Sequence, residues 1–304
     1  LTITDADTRT GNARGDGTSY GAPTGTTTIN AGTIRIDDEA NLGANPGGYW
    51  TWDGSVDTFV PGTFNPAALT LNGGILQATA SFAIDDSNRG ITVGSNGGTF
   101  AVDATRTLTI GNVITGGGSL TKAGDGTLSL NAENTYTGNT RVTAGTLTLG
   151  HASAIAGSTL DLAAADAGTV AFGAPTTYTL GGLEGTRDLN MGGNTLAMGA
   201  NGQSTEYGGS LSNGSLVKTG AGTLTLSGTN THNATIISEG NLKFLTDANL
   251  GAAGAGITLD GGTLQYDVAA WNYSVSRPIT LTDDSYLLGG GNSLRLSGKI
   301  SDGT

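Results

Sequence analysis

The chain repeats itself, and that constrains its fold more than anything else in the sequence. Gly118-Ser-Leu-Thr-Lys-Ala-Gly-Asp-Gly-Thr-Leu-Ser-Leu130 recurs as Gly214-Ser-Leu-Val-Lys-Thr-Gly-Ala-Gly-Thr-Leu-Thr-Leu226, displaced from position 118 to position 214. Ala31-Gly-Thr-Ile-Arg-Ile36 returns as Ala144-Gly-Thr-Leu-Thr-Leu149 and, more loosely, as Glu239-Gly-Asn-Leu-Lys-Phe244. Leu69-Thr-Leu-Asn-Gly-Gly74 returns as Ile257-Thr-Leu-Asp-Gly-Gly262. A unit of about 95 residues therefore occurs about three times, with shorter strand–turn periods inside it. Units of this kind bury their apolar faces against their neighbours, so the repetition points to a stack.

Inside the repeats, aliphatic residues alternate with Thr or Ser. Thr33-Ile-Arg-Ile36, Leu108-Thr-Ile110, Leu128-Ser-Leu130, Leu147-Thr-Leu149 and Leu224-Thr-Leu226 are examples. Period-2 alternation is the mark of a half-buried strand, and β-branched Thr suits its wet face. Gly and Asn punctuate these strands as turn residues, because both tolerate positive φ. No segment sustains a helical period. The nearest candidate, Ala152 to Ala165, is broken by Gly157 and contains strand-like Thr159-Leu-Asp-Leu162. The expected fold is all-β, a right-handed parallel β-helix with roughly 22 residues per coil. Residues 1–304 are expected to form a single continuous β-solenoid. A β-propeller is the rival, but its blade period of about 40–50 residues is not seen.

Composition agrees. Gly (53) and Thr (49) make up about a third of 304 residues, while charged residues are 12% and aromatics 6%. A narrow interior of stacked aliphatic side chains needs few large rings and few charges. With no Cys, a disulfide scaffold, a cysteine metal site and thiol chemistry are excluded. Net charge is −12 and the basic residues are scattered singly, so no basic stripe exists to meet phosphates, and no nucleic-acid partner is expected. No apolar run approaches the ~20 residues of a membrane helix, so the chain is not expected to span a membrane. Leu1 in place of Met, without a charged-then-apolar leader, reads as an excised or processed segment.

The first repeat is longer than the third by an insertion of about 20 residues. The insert, 45–66, holds Tyr49-Trp-Thr-Trp52 and two of the three Trp, and is expected to be a loop projecting from the solenoid.

These residues resemble a known family. Gly118 to Leu130, Asn134-Thr-Tyr-Thr-Gly138 and Val142-Thr-Ala-Gly-Thr-Leu-Thr-Leu149 are similar to the autotransporter-associated β-strand repeat of bacterial passenger domains. A second copy covers Gly214 to Phe244, where Asn230-Thr-His-Asn-Ala234 departs from the pattern, and a degenerate third covers Ser19 to Ile36. The resemblance implies a parallel β-helix at the bacterial cell surface, outer-membrane-associated or secreted, with a role in adhesion, biofilm or passenger transport. It implies no catalytic residues.

Candidate sites are few. Arg14-Gly15-Asp16 is the adhesion tripeptide, set in a Gly-rich stretch where the simpler reading is a solvated turn. Trp50 and Trp52 would share a face if extended, with Tyr49 beside them; aromatic faces can stack on sugar rings or pack against the scaffold. Asp37-Asp38, Asp85-Asp86 and Asp283-Asp284 could offer oxygens to calcium, but turn chemistry is the better reading, so no metal is assigned. His232 occupies the Tyr136 position of the repeat, which suits a rung and not a base, and no nucleophile elbow or zinc-protease motif occurs. No cofactor and no catalytic residue are assigned. The function expected is a non-enzymatic extracellular stalk or scaffold whose partners are host or bacterial surface glycans or proteins. The alternative is a fibre subunit that self-associates by stacking, because exposed solenoid ends invite strand addition. A polysaccharide-active enzyme ranks third.

Overall fold

A computed structural model describes residues 26–43, 48–52, 55–267, 273–289, 294–296 and 298–303. Among these the only helices are two single turns of 3-10 type, Glu39–Leu42 and Asp247–Leu250, and the rest is strand and turn. Among the described residues no helix is long and apolar enough to cross a membrane. The chain divides into two compact units. The first comprises Leu1–Gly138, Val142–Thr148 and Ala167–Thr169; the second comprises Asn139–Arg141, Leu149–Asp166 and Val170–Thr304.

In the first unit the chain visits three parallel sheets in turn. Thr27–Ile29, Asn65–Leu71, Arg89–Val93 and Ile114–Thr115 form one. Thr33–Ile36, Ile75–Ala78, Gly98–Val102 and Leu120–Ala123 pair successively in the second. Phe82–Ile84, Thr107–Ile110 and Thr127–Leu130 pair in the third. Each coil stacks on the last in parallel register: Leu69 faces Ile91, and Ile91 in turn faces Ile114. Thr27 pairs with Leu69, a step nearly twice as long, and residues 45–66 lie within it. Strand alternation sets the packing. Thr107–Ile110 and Thr127–Leu130 turn Leu108, Ile110, Leu128 and Leu130 inward, fully buried, and leave Thr and Ser outside.

The second unit repeats the scheme. Thr195–Met198, Ser215–Lys218, Ala234–Ile237, Gly256–Asp260, Ile279–Asp283 and Ile300–Asp302 run as one parallel ladder. Thr205–Tyr207, Thr223–Leu226, Asn241–Phe244, Thr263–Tyr266 and Tyr286–Gly289 run as another. Along these two ladders the steps, from Thr223 onto Asn241 up to Thr263 onto Tyr286, bracket the coil length expected from the sequence. Leu224, Leu242 and Leu264 stack as one buried column, and Tyr207, Leu226, Phe244 and Tyr266 as a second, with the Phe244 and Tyr266 rings 5.5 Å apart. The Ala-rich stretch 152–165 is not helical: Ile155–Leu162 is an eight-residue strand, the alternation of Leu160 and Leu162 having outweighed the alanines. The architecture is an all-β parallel solenoid.

Candidate functional site

The insert is the one place where the described strands abandon parallel pairing. Gly48–Trp52 and Asp57–Pro61 form a two-stranded antiparallel sheet joined to no other, with Trp50 opposite Phe59 and Trp52 opposite Asp57. Antiparallel strands need only a tight connection, whereas a parallel coil needs a full circuit, so a short insertion closes most simply as a hairpin. Trp50 and Trp52 occupy alternate positions of this ladder, and Tyr49 lies between Gly48 and Trp50 at the other parity. Their side chains lie outside the described residues. The described apolar neighbours are open to solvent: Val56 at 59%, Phe59 at 46% and Phe64 at 52% exposure. All three fall in one short stretch of sequence, and large apolar side chains left open to solvent there offer area for contact with a partner.

Buried polar clamps hold the coils beneath. Lys122 is 1% exposed and stands in the interior column with Leu76 and Phe100. Its Nζ donates to the carbonyls of Ala123 (2.8 Å), Gly124 (2.7 Å) and Ala144 (3.1 Å), tying its own turn to the next coil. Lys218, at the matching position of the later copy, repeats this with Thr219, Gly220 and Glu239 at 2.6, 2.6 and 3.2 Å. Burial pulls the pKa of both ammonium groups down to about 8, opposed by the nearby Asp125 and Glu239 carboxylates respectively. Gly145 and Gly240, the glycines of the trailing half-repeat, sit at φ 65° with a would-be Cβ 2.8 Å from the lysine Nζ. Gly is required there twice over, for the left-handed backbone and for room at the clamp. The recurring Lys-x-Gly-x-Gly-Thr-Leu motif is thus a coil-to-coil fastener.

Two arginines serve the 3-10 turns in the same way. Arg277, 2% exposed, ion-pairs with Asp247 at 3.0 Å and donates to the carbonyls of Asp247, Leu250, Gly251 and Ala252. Arg89 pairs with Glu39 (2.9 Å) and Asp86 (3.0 Å) and donates to the carbonyls of Leu42 and Gly43. The Glu39–Arg89 pair spans the insert and the Asp247–Arg277 pair does not, so the same clamp survives a much longer connection. Asn134 and Asn230, both buried, accept from the backbone N–H of Ile114 (2.9 Å) and Leu211 (2.7 Å) one coil back. Buried carbonyls and amides are expensive to leave unpaired, so each clamp satisfies groups that the coil geometry would otherwise orphan.

The remaining sequence candidates fall as follows. Arg14, Gly15 and Asp16 lie outside the described residues. Asp38 caps the Glu39–Leu42 turn, accepting from the Ala40 N–H at 2.8 Å, and Asp86 serves Arg89, so turn and clamp chemistry claim both. Among the described residues no group of three or more His, Cys, Asp or Glu is placed to hold a metal ion. His232 is fully buried, with Nε2 2.8 Å from Thr235 Oγ1, and fills the interior where Tyr136 stands in the earlier repeat. His151 accepts from the Ser153 N–H at 3.1 Å and closes a turn.

Sequence reasoning missed the four buried cations, although strand parity carries the signal. Lys122 shares parity with inward Leu120, Lys218 with Leu216, Arg89 with Ile91, and Arg277 with Ile279. A basic residue at an inward position of a coil is a clamp candidate.

A family model described as the passenger-associated-transport-repeat matches residues 24–36, 120–149 and 216–244, the segments that contain both lysine clamps and the three glycine half-repeats. The adhesin BmaC autotransporter of Brucella suis biovar 1 (strain 1330) is 33% identical over 296 residues, covering 90% of this chain. The chain is of the autotransporter-passenger type. It spans 8% of that relative's length. No solved structure matches it.

Proposed function

We propose that this chain is a non-enzymatic, cell-surface or secreted solenoid scaffold, outer-membrane-associated in its parent, that presents the 45–66 insert for adhesion to surface glycans or proteins. The observation that carries the reading is the insert itself: an antiparallel hairpin with exposed Val56, Phe59 and Phe64, set on a scaffold whose other described strands pair in parallel. The stacked backbone ladder supplies stiffness and resistance to proteolysis, and leaves the hairpin as the variable element. A relative named as an adhesin supports the adhesive role. Both histidines are engaged in packing or turn closure, which supports the non-enzymatic reading. The test is binding of the chain to arrayed glycans and host surface proteins, compared with a Trp50→Ala/Trp52→Ala variant. Loss of binding is expected, and unchanged binding removes the insert as the contact site.

A further inference from the structure

In the second unit, a shallow groove of about 440 Å³ opens beside the turn at 191–194, far along the chain from the insert. Phe172, Gly173, Asn190, Gly192, Asn194 and Asn213 line it, and no charged residue does, although the chain carries −12 overall. The turn is built to hold asparagines at the surface. Gly192 N–H donates to Asn190 Oδ1 (2.9 Å), Asn213 Nδ2 donates to the same oxygen (3.2 Å), and Asn194 Nδ2 donates to the Met191 carbonyl (2.7 Å). Gly193 N–H donates to the Asn213 carbonyl at 2.6 Å, fastening this coil to the next. Asn213 adopts φ 53°, a left-handed conformation that Asn tolerates better than most residues.

These bonds fix the amides and leave one atom of each unused. Among the described residues, Asn190 Nδ2, Asn194 Oδ1 and Asn213 Oδ1 have no protein partner, giving one donor and two acceptors around one groove. An aromatic ring completes the lining. Phe172 is half-buried, braced by Tyr178 with ring centroids 5.0 Å apart and tilted 58°, and a Cβ at Gly192 would lie 3.9 Å from its Cδ2. Preset amide donors and acceptors, a ring with an apolar face and no charge together match a ligand bearing several hydroxyls and a C–H face. Bonding groups already locked by their neighbours lose little entropy on binding.

We propose that this groove is a binding site for a neutral saccharide, recognised by Asn190, Asn194 and Asn213 through its hydroxyls and by Phe172 through its ring face. The site is independent of the insert. The test is amide NMR of the full chain titrated with cellobiose, chitobiose and lactose, and with sialyllactose as the acidic counterpart. Saturable shifts confined to Gly192, Gly193 and Asn213 are expected with at least one neutral disaccharide, at a Kd on the order of 1 mM. Phe172→Ala and Asn213→Gly, the latter chosen because Gly accepts φ 53°, should each weaken binding about tenfold while leaving the rest of the spectrum in place. Trp50→Ala/Trp52→Ala should leave these shifts unaltered, which separates this site from the hairpin. No shift with any neutral disaccharide, shifts that survive both groove variants, or a preference for sialyllactose would each overturn the assignment.

Discussion

Replacing Lys218 by Met tests whether the repeat motif is a fastener. Met fills most of the same volume in the column between Met198 and Ile237, so the change removes the ammonium with little change in packing. What is lost is three charge-assisted hydrogen bonds, to Thr219, Gly220 and Glu239, that no other side chain supplies. Hydrogen bonds to charged groups contribute about 1.5–3 kcal/mol each, and a buried carbonyl left unpaired costs about 1–3 kcal/mol. Against this, the burial that pulls the ammonium pKa down to about 8 is relieved when the charge goes. The balance is a destabilisation of about 2–4 kcal/mol. With a urea slope of about 1–3 kcal/mol per molar, the midpoint falls by about 1–2 M. Urea unfolding followed by circular dichroism reads this directly, and Lys122→Met serves as the independent copy. Gly240→Ala is a separate arm: at φ 65° its Cβ would meet the Gly220 and Gly222 carbonyls at 2.3 and 2.6 Å as well as Lys218 Nζ at 2.8 Å, so a loss of stability is expected whether residue 218 is Lys or Met. A midpoint unchanged or raised in Lys218→Met and in Lys122→Met refutes the clamp.

The buried histidine, the arginine clamp and a tightly packed glycine each give a further expectation. His232 is held well below its usual range, at about 4, by burial and by the neighbouring Arg277 cation, itself paired to Asp247. The unfolded chain therefore binds the proton more tightly, so His232 contributes full stability above pH 6.5 and loses up to about 3 kcal/mol as pH falls toward 4. Urea midpoints at pH 7 and pH 4 should converge in His232→Gln, and an unaltered pH dependence counts against it. Arg277→Met removes an ion pair to Asp247 and the donor to four carbonyls, and should cost about 2–4 kcal/mol, read as a drop in thermal midpoint larger than that of the exposed Arg35→Met. Gly118→Ala would drive its Cβ into the Gly94 carbonyl of the previous coil, so the variant should lose strand signal by circular dichroism, whereas Gly32→Ala meets nothing within 4 Å and loses only the ease of φ 73°.

Much of this fold was legible because a solenoid writes its period into the sequence. Leu108, Leu128 and Leu224 alternate with Thr or Ser, and the structure buries them where the pattern predicts. Residues 45–66 break the spacing of the repeats in the sequence, and they fall within the long step from Thr27 to Leu69. Its conformation was not, because a hairpin depends on which residues pair across the turn and the Gly/Trp/Thr composition does not specify that. The clamps were hidden for a different reason. Lys and Arg are almost always at the surface, so composition argues against burial, and only parity with Leu120 or Ile279 reverses that prior. The 3-10 turns escaped because a single turn is too short to show a period. The Asn groove escaped because Asn190, Asn194 and Asn213 meet only when adjacent coils are stacked, through a register that exists in the folded chain alone.

Excising the hairpin from Asn45 to Phe64 and measuring adherence of the purified chain to host cells asks most directly whether this element carries adhesion. The later repeats close their coils without such an insert, as Thr235 does onto Ile257. An unchanged strand spectrum and thermal midpoint are expected, together with loss of adherence. Adherence retained by a folded, hairpin-free chain would contradict the adhesive role of the hairpin.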